Sequence, residues 1–362
     1  MMSGDERKSN TVVIISRQSK LALVQTEWVR DELKKRWPEI EFVIETTTTQ
    51  GDKILDVALN KIGDKGLFTK ELEVALLNGS AHIAVHSLKD MPTRLPEGLT
   101  IGAITKRHDS HDAAVASPLF KDFTLATLPE KSIVGTSSLR RIAQLKRRFP
   151  HLEFQSVRGN LATRLRKLDE PGEGEPRFSF IILAQAGLER QGLGERVHEV
   201  IDTEISFPAV GQGALAIECR EGDERIKEII QSINDQRTAF CCEAERSMLR
   251  SLEGGCQVPV AVYSQIHKSA EEDGRVELSL SGRVLSLDGQ QLIEAKKSVF
   301  LPVSLSAASE EGDDLSFGRE QEGEAVVLAR GLGCDVAKEL LDNGAKAILD
   351  EVYQHNASSQ VQ

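Results

Sequence analysis

Four short runs in this chain bring together groups with chemical capacity. Ser87-Leu88-Lys89-Asp90 places a hydroxyl, a cation and a carboxylate within four residues. Gly135-Thr136-Ser137-Ser138-Leu139-Arg140-Arg141 sets two arginines behind a hydroxyl-rich turn, and Arg158-Gly159-Asn160, followed by Arg164, repeats the theme. Gly254-Gly255-Cys256 puts a thiol on a glycine-rich loop. Guanidinium groups beside hydroxyls and freed backbone N–H groups suit bidentate capture of carboxylate or phosphate. Asp90 reads in two ways: as part of a helix start with surface charges, or as the one anion in a cationic site, suited to acid–base or cation-stabilising work. Cys256 also has two readings, a small core residue or a reactive thiol that two preceding glycines leave accessible. The residues alone do not choose between them.

The arginines belong to a wider imbalance. Between Lys131 and Lys167 ten Lys or Arg face a single acid, Glu153, in a chain whose net charge is −11. Lys146, Arg147, Arg148, Arg166 and Lys167 read as solvated charge at helix ends, near the negative pole of the dipole. Arg140, Arg141, Arg158 and Arg164 sit in or just after turns and point to a polyanionic ligand. The global acidity argues against general nucleic-acid binding, whose electrostatic footprint usually dominates a domain.

Other motifs carry less. Gly211-Gln212-Gly213-Ala214-Leu215-Ala216 fits a dinucleotide fingerprint by its letters. No clear strand precedes it, and residues 214–219 read as extended rather than helical, so the context fails. His82 with His86, and His108-Asp109-Ser110-His111-Asp112, gather metal-type ligands without a recognisable third or fourth partner; no metal is expected. The five cysteines (Cys219, Cys241, Cys242, Cys256, Cys334) are odd in number and form no C-x-x-C pair, which suits reduced thiols. No apolar run approaches the ~18 residues of a membrane span, and Met1–Asn10 lacks a signal-peptide core. A cytoplasmic protein without membrane contact is expected.

The elements that must position these groups alternate. Strands are expected at Thr11–Ser16, Ile40–Thr47, Ala81–Val85, Ser132–Val134, Glu153–Ser156 and Phe180–Ala184. Helices are expected from Ser19 to about Trp37, and over Phe68–Leu77, Ser138–Arg148 and Leu161–Lys167. This is the pattern of two α/β lobes with mainly parallel sheets, in which ligands bind beyond the carboxyl ends of strands. From about Asp235 a helix over Thr238–Leu252 precedes alternating segments at Val258–Gln265, Val276–Leu285 and Gln291–Leu301. The last two are joined by the hairpin signal Asp288-Gly289. Ser304–Glu324 reads as a mobile loop, and a final helix is expected over Asp335–Tyr353, broken near Gly344. The third domain is thus a small α+β unit with an antiparallel sheet.

Taken together these segments resemble the hydroxymethylbilane synthase, or porphobilinogen deaminase, family. Lys65-Gly66-Leu67-Phe68-Thr69-Lys70-Glu71-Leu72, His86-Ser87-Leu88-Lys89-Asp90, Val134–Arg141, Arg158-Gly159-Asn160 with Thr163-Arg164, Ala209–Ala214 and Leu252–Cys256 follow the family's order over nearly the whole chain. The resemblance implies two lobes similar to periplasmic binding proteins around a central cleft, plus the C-terminal domain. The first lobe would be discontinuous (1–107 and 211–234), the second would span 108–210 and the third domain 235–362. The implied enzyme is a monomer that condenses four molecules of porphobilinogen, with loss of ammonia, on a dipyrromethane cofactor. Cys256 matches the cofactor attachment and Asp90 the catalytic aspartate. Arg17, Ser19, Lys89, Thr136, Ser137, Ser138, Arg140, Arg141, Arg158, Arg164 and Arg190 match positions that hold cofactor and substrate carboxylates. Gln25, Lys61, Lys65, Phe68, Ser87 and Gln212 match cleft-lining segments. One departure is Ile15, where the family has Gly or Ala; its bulk is expected beside Arg17 and the cofactor. The rival readings are a non-catalytic binder of anionic metabolites on the same scaffold, a cysteine-nucleophile acyltransferase and a nucleic-acid binder.

Overall fold

A computed structural model of the chain describes residues 10–49, 51, 66–252, 258–268, 275–305, 315–316 and 319–358. Its first strand, β1 (Thr11–Arg17), is a β-branched run whose side chains alternate between two apolar layers, with Val12 and Ile14 in one and Ile15 in the other. Helix α1 (Lys20–Arg36) begins at Ser19, whose hydroxyl accepts the Ala22 N–H at 3.3 Å, and is capped by Trp37 ahead of Pro38. β2 (Glu41–Thr47), α2 (Lys70–Leu77), β3 (Ile83–Ser87) and β4 (Leu99–Ile104) follow. The chain then crosses to a second sheet. There β5 (Asp112–Ala116), β6 (Ile133–Gly135), α3 (Leu139–Arg148), β7 (Glu153–Gln155), α4 (Leu161–Asp169), β8 (Phe180–Ala184), α5 (Gln185–Arg190) and β9 (Glu199–Ile201) give the order β7-β6-β8-β5-β9.

After β9 the chain returns. β10 (Leu215–Arg220) inserts between β3 and β4, completing the order β2-β1-β3-β10-β4, and α6 (Glu224–Gln231) packs behind it. Alternating strands and helices predict mainly parallel sheets, and here the structure differs. β10 runs antiparallel to β3 and β4, and β5 runs antiparallel to β8 and β9. A strand that arrives from the other lobe enters from the opposite end, which reverses its direction.

In the third unit, α7 (Gln236–Ser251) packs on the antiparallel sheet β11 (Val260–Lys268), β12 (Arg275–Leu285), β13 (Leu292–Leu305) and β14 (Leu315–Ser316). The Asp288-Gly289 turn joins β12 to β13, with Gly289 at φ 76°. The closing helix starts far earlier than Asp335. α8 spans Arg319–Asp342 and α9 Ala345–Ser358, interrupted at Gly344. Part of the expected loop is therefore helical, because Ala325, Ala329, Leu332, Val336 and Leu340 form one apolar stripe buried on the sheet. Residues 306–314 and 317–318 of that loop lie outside the described residues. No described helix is long and apolar enough to cross a membrane.

Both crossings between the lobes are fastened from the third unit. Glu245 on α7 is fully buried. It accepts hydrogen bonds from Arg107 Nη1 at 2.6 Å and Nη2 at 3.1 Å, from the Gly211 N–H at 2.7 Å and from Ser264 Oγ at 2.5 Å. Arg107 Nε also donates to the Gln212 carbonyl at 2.7 Å. Gly211 has φ 71°, and a Cβ there would stand 2.7 Å from Leu88 Cγ, so only glycine lets this crossing lie against the turn after β3. Breaking a buried, multiply bonded ion pair of this kind costs about 3–5 kcal/mol.

Candidate active site

The first lobe contributes the ends of β1 and β3. Beyond β3, Leu88–Asp90 form one 3₁₀ turn in which Leu88 is buried and Asp90 exposed. The Leu88 N–H donates to the Ala214 carbonyl at 3.0 Å, and buried His86 bonds through Nε2 to buried Glu218 at 3.0 Å. Gln25 reaches from α1 to donate to Ser87 Oγ at 3.0 Å. These contacts fix the turn from three sides. At the end of β1, the Arg17 guanidinium lies 4.3 Å from the Phe68 ring centre, a cation–π contact. Ile15 lies two residues before Arg17, inside this end. Strand alternation sends it into the core against Leu72 and Leu76 of α2, while Ser16 is buried and bonded by Thr26 Oγ1 at 2.8 Å. Lys61, Lys65 and Cys256 lie outside the described residues.

The second lobe contributes the turn before α3. Ser138 caps that helix, accepting the Arg141 N–H at 3.5 Å, and Thr136 Oγ1 accepts the Ser138 N–H at 3.3 Å. Ser137 Oγ lies 2.8 Å from Ser156 Oγ and donates to the Val157 carbonyl at 2.8 Å. All three hydroxyls therefore help to build the turn. Arg140 and Arg141 are buried, and a residue that the sequence reading grouped with a would-be metal cluster explains why. Asp112, at the start of β5, accepts from Arg140 Nη1 at 2.8 Å and Nη2 at 3.3 Å, from Arg141 Nη2 at 2.7 Å and from Gln212 Nε2 at 2.8 Å. Burial would raise the Asp112 carboxyl, but the two guanidinium charges overcome it and hold it far below the carboxylate range. Arg140 also donates to the Phe207 carbonyl at 2.6 Å and Arg141 to the Ile182 carbonyl at 2.9 Å. Arg141 Nε is buried without a hydrogen-bond partner.

Arg164 adjoins Arg141 and Arg158, while Arg190 binds the second crossing. Arg164 Nε donates to the Gly159 carbonyl at 2.8 Å, Arg158 Nε to Ser156 Oγ at 3.4 Å and Arg190 Nη2 to the Gly213 carbonyl at 2.6 Å. Burial, with Arg141 and Arg158 beside it, pushes Arg164 down to about 10, and Asp90 is close enough to oppose the shift. Burial likewise pushes Arg190 down to about 10 and lowers Arg158. All remain charged at neutral pH, held at some electrostatic cost that an anionic ligand would relieve.

Lys89 links the two walls. Its Nζ lies 3.5 Å from Gln212 Oε1, whose amide nitrogen binds Asp112. Burial pushes the Lys89 amine down to about 8; Asp90 opposes the shift and Arg141 adds to it. A lysine that holds carboxylates works only when protonated, so kcat/KM for an anionic substrate is expected to fall as pH rises through about 8. In Lys89→Arg this alkaline limb should move up by more than about one unit, because guanidinium stays charged. An unmoved limb would take Lys89 out of carboxylate binding.

The cations read as plain surface charge have a partly different role. Arg147 donates to the Gly289 and Gln290 carbonyls at 3.2 and 3.0 Å, tying α3 to the β12–β13 hairpin. With Lys146 and Arg148 it borders a concavity of about 600 Å³ that is lined by neither Asp90 nor Arg140, Arg141, Arg158, Arg164 or Arg190. Arg166 pairs at the surface with Glu175 at 2.9 Å.

Comparison with known proteins decides what this arrangement belongs to. Residues 12–228 match the family model "Porphobilinogen deaminase, dipyromethane cofactor binding domain", and residues 239–342 match "Porphobilinogen deaminase, C-terminal domain". A porphobilinogen deaminase of Synechococcus sp. (strain RCC307) is 54% identical over 322 residues, covering 89% of this chain and 96% of that protein. One from Nostoc sp. (strain PCC 7120 / SAG 25.82 / UTEX 2576) is 49% identical and covers 95% of each chain. The chain belongs to the porphobilinogen deaminase family. Among solved structures, the methionine-binding protein MetQ aligns at a TM-score of 0.39 and 14% identity, covering 62% of this chain and 90% of that one.

Members of the porphobilinogen deaminase family carry a dipyrromethane cofactor, whose two pyrroles each bear an acetate and a propionate. The described residues fit such a group. The buried, unpartnered Nε of Arg141 lacks an acceptor that a carboxylate would supply, and the cations around it sit at depressed acidity constants that an anion would restore.

Proposed function

We propose that this protein joins four porphobilinogen molecules head to tail, releases ammonia at each addition, and yields linear hydroxymethylbilane for tetrapyrrole synthesis. The observation that carries the assignment of roles is the juxtaposition of one exposed carboxylate, Asp90, with a row of guanidinium groups, the buried Arg141 and the half-buried Arg164 foremost. When bound through Cys256, the dipyrromethane supplies the pyrrole α-carbon that receives the first substrate. Asp90 accepts hydrogen bonds from pyrrole N–H groups and stabilises the positive charge that develops as ammonia departs. Arg17, Arg141, Arg158, Arg164 and Arg190 hold acetate and propionate groups, with Lys89 assisting. Arg140 acts beside them through the Asp112 pair, and Ser19, Thr136, Ser137 and Ser138 hold the helix starts that aim them. Gln25 and Ser87 brace the turn that carries Asp90, Phe68 backs Arg17, and Gln212 joins the walls. Lys61 and Lys65 match the family's cleft-lining segments. The active form is a cytoplasmic monomer divided at about residues 107, 210 and 234.

The test is the intact mass of freshly purified, active protein. It is expected to exceed the sequence mass by two pyrrole units and to colour with Ehrlich's reagent. An active preparation of unmodified mass would sink the reading.

A further inference from the structure

Asp112 is buried at the point where the chain has just entered the second lobe, and its two oxygens receive four hydrogen bonds from three side chains. Two of these belong to the carboxylate wall (Arg140 and Arg141). The third, Gln212, follows the second crossing and also meets Lys89 of the opposite wall at 3.5 Å. The carboxylate therefore occupies the Nη groups that a substrate carboxylate would seek, and it leaves Arg141 Nε as the donor still without an acceptor. We propose that Asp112 is a positioning residue that aims Arg140 and Arg141 and competes with substrate carboxylates for them, so that no ring of the growing chain is held too tightly to move on. The proposal rests on the reading that this wall binds substrate carboxylates.

The physical reason is the charge balance. Two buried guanidinium groups without a counter-ion would bind the first carboxylate to reach them strongly, since each gains a partner it lacks. A polymerising site needs the opposite, because every pyrrole carries the same carboxylates and each must give way to the next. Uniformly tight binding of successive states lowers KM without helping turnover. An internal carboxylate that is already paired makes the substrate exchange one partner for another, which lowers both the gain on binding and the cost of release.

The experiment uses the holoenzyme and the isosteric substitution Asp112→Asn. During turnover of limiting porphobilinogen, intact-mass spectra are expected to show persistent enzyme carrying one to three added pyrroles. The kcat is expected to fall at least about tenfold while KM for porphobilinogen is unchanged or lower. The affinity of benzene-1,3,5-tricarboxylate, a non-reacting probe followed by calorimetry, should rise. Asp112→Glu, which keeps the charge, should return the mass distribution toward that of the wild type. A purely structural role would lower the yield of loaded enzyme and leave the distribution within the loaded fraction unchanged; that result, or weaker binding of the tricarboxylate, overturns the proposal. If Asp112→Asn does not fold, Gln212→Glu carries the test with the opposite sign: it adds a carboxylate beside the same arginines and should raise KM and weaken the probe. Tighter or unaltered binding in that variant overturns the proposal. An Arg141→Gln control separates the two readings. If it binds the tricarboxylate as the wild type does, the carboxylate wall itself is wrong; if it alone is impaired, only the role of Asp112 is.

Discussion

Asp90→Ala is expected to yield a folded protein that carries its cofactor and turns over about 10²- to 10⁴-fold more slowly than the wild type. The two halves of that expectation have separate causes. Asp90 is exposed at the end of its turn, and the turn is held without it by the Leu88 N–H to Ala214, by the His86–Glu218 pair and by Gln25 on Ser87. Loss of an exposed carboxylate at such a place changes stability by no more than about 0.5 kcal/mol. The chemistry loses more, because the carboxylate stands among cations that cannot stabilise a developing positive charge in its place. Product formation measured beside intact mass distinguishes the two effects. Turnover within a few-fold of the wild type would remove Asp90 from the mechanism, and loss of the two-pyrrole adduct would reassign it to cofactor loading.

Cys256→Ser is expected to abolish turnover altogether, with an intact mass equal to that of the sequence. A thioether needs a thiolate-capable nucleophile, and a serine hydroxyl at the same place is far less reactive without an activating base. Serine is close to cysteine in size, so the substitution tests chemistry rather than access. The variant should also melt lower, by about 5 °C, since a bound anion stabilises only the folded wall and its absence returns Arg141 and Arg164 to mutual repulsion. A serine variant that retains the adduct would place the attachment elsewhere.

Much of the architecture was readable from local chemistry. Ser19 and Ser138 mark helix starts because their hydroxyls accept N–H groups of the first turn, and Phe180–Ala184 is a buried apolar strand by composition alone. Elements that depend on distant partners were hidden. β5 reads Asp112-Ala113-Ala114-Val115-Ala116, too rich in alanine to register as a strand until β8 and β9 flank it. The place of β10 in the first sheet cannot be read from its own residues, since alternation shows that a segment is extended and not which neighbours it joins. The catalytic-side turns were legible because their residue types are unusual, yet the Asp112 hub was not. In sequence Asp112 lies beside His108 and His111, whereas in the fold the pairing of β5 with β8 and β9 sets it against arginines 28 and 29 positions away.

The position of β10 has a consequence for how the protein is made. Leu215–Arg220 forms the strand between β3 and β4, so the first sheet stays split while the ribosome completes the whole second lobe. At about 5–20 residues per second, the delay between synthesis of β4 and of β10 is on the order of ten seconds. Over that interval the nascent first lobe exposes two unpaired strand edges, a template for association with other chains. The second lobe needs no later segment for its sheet and can close first, which reverses the usual N-to-C order of maturation.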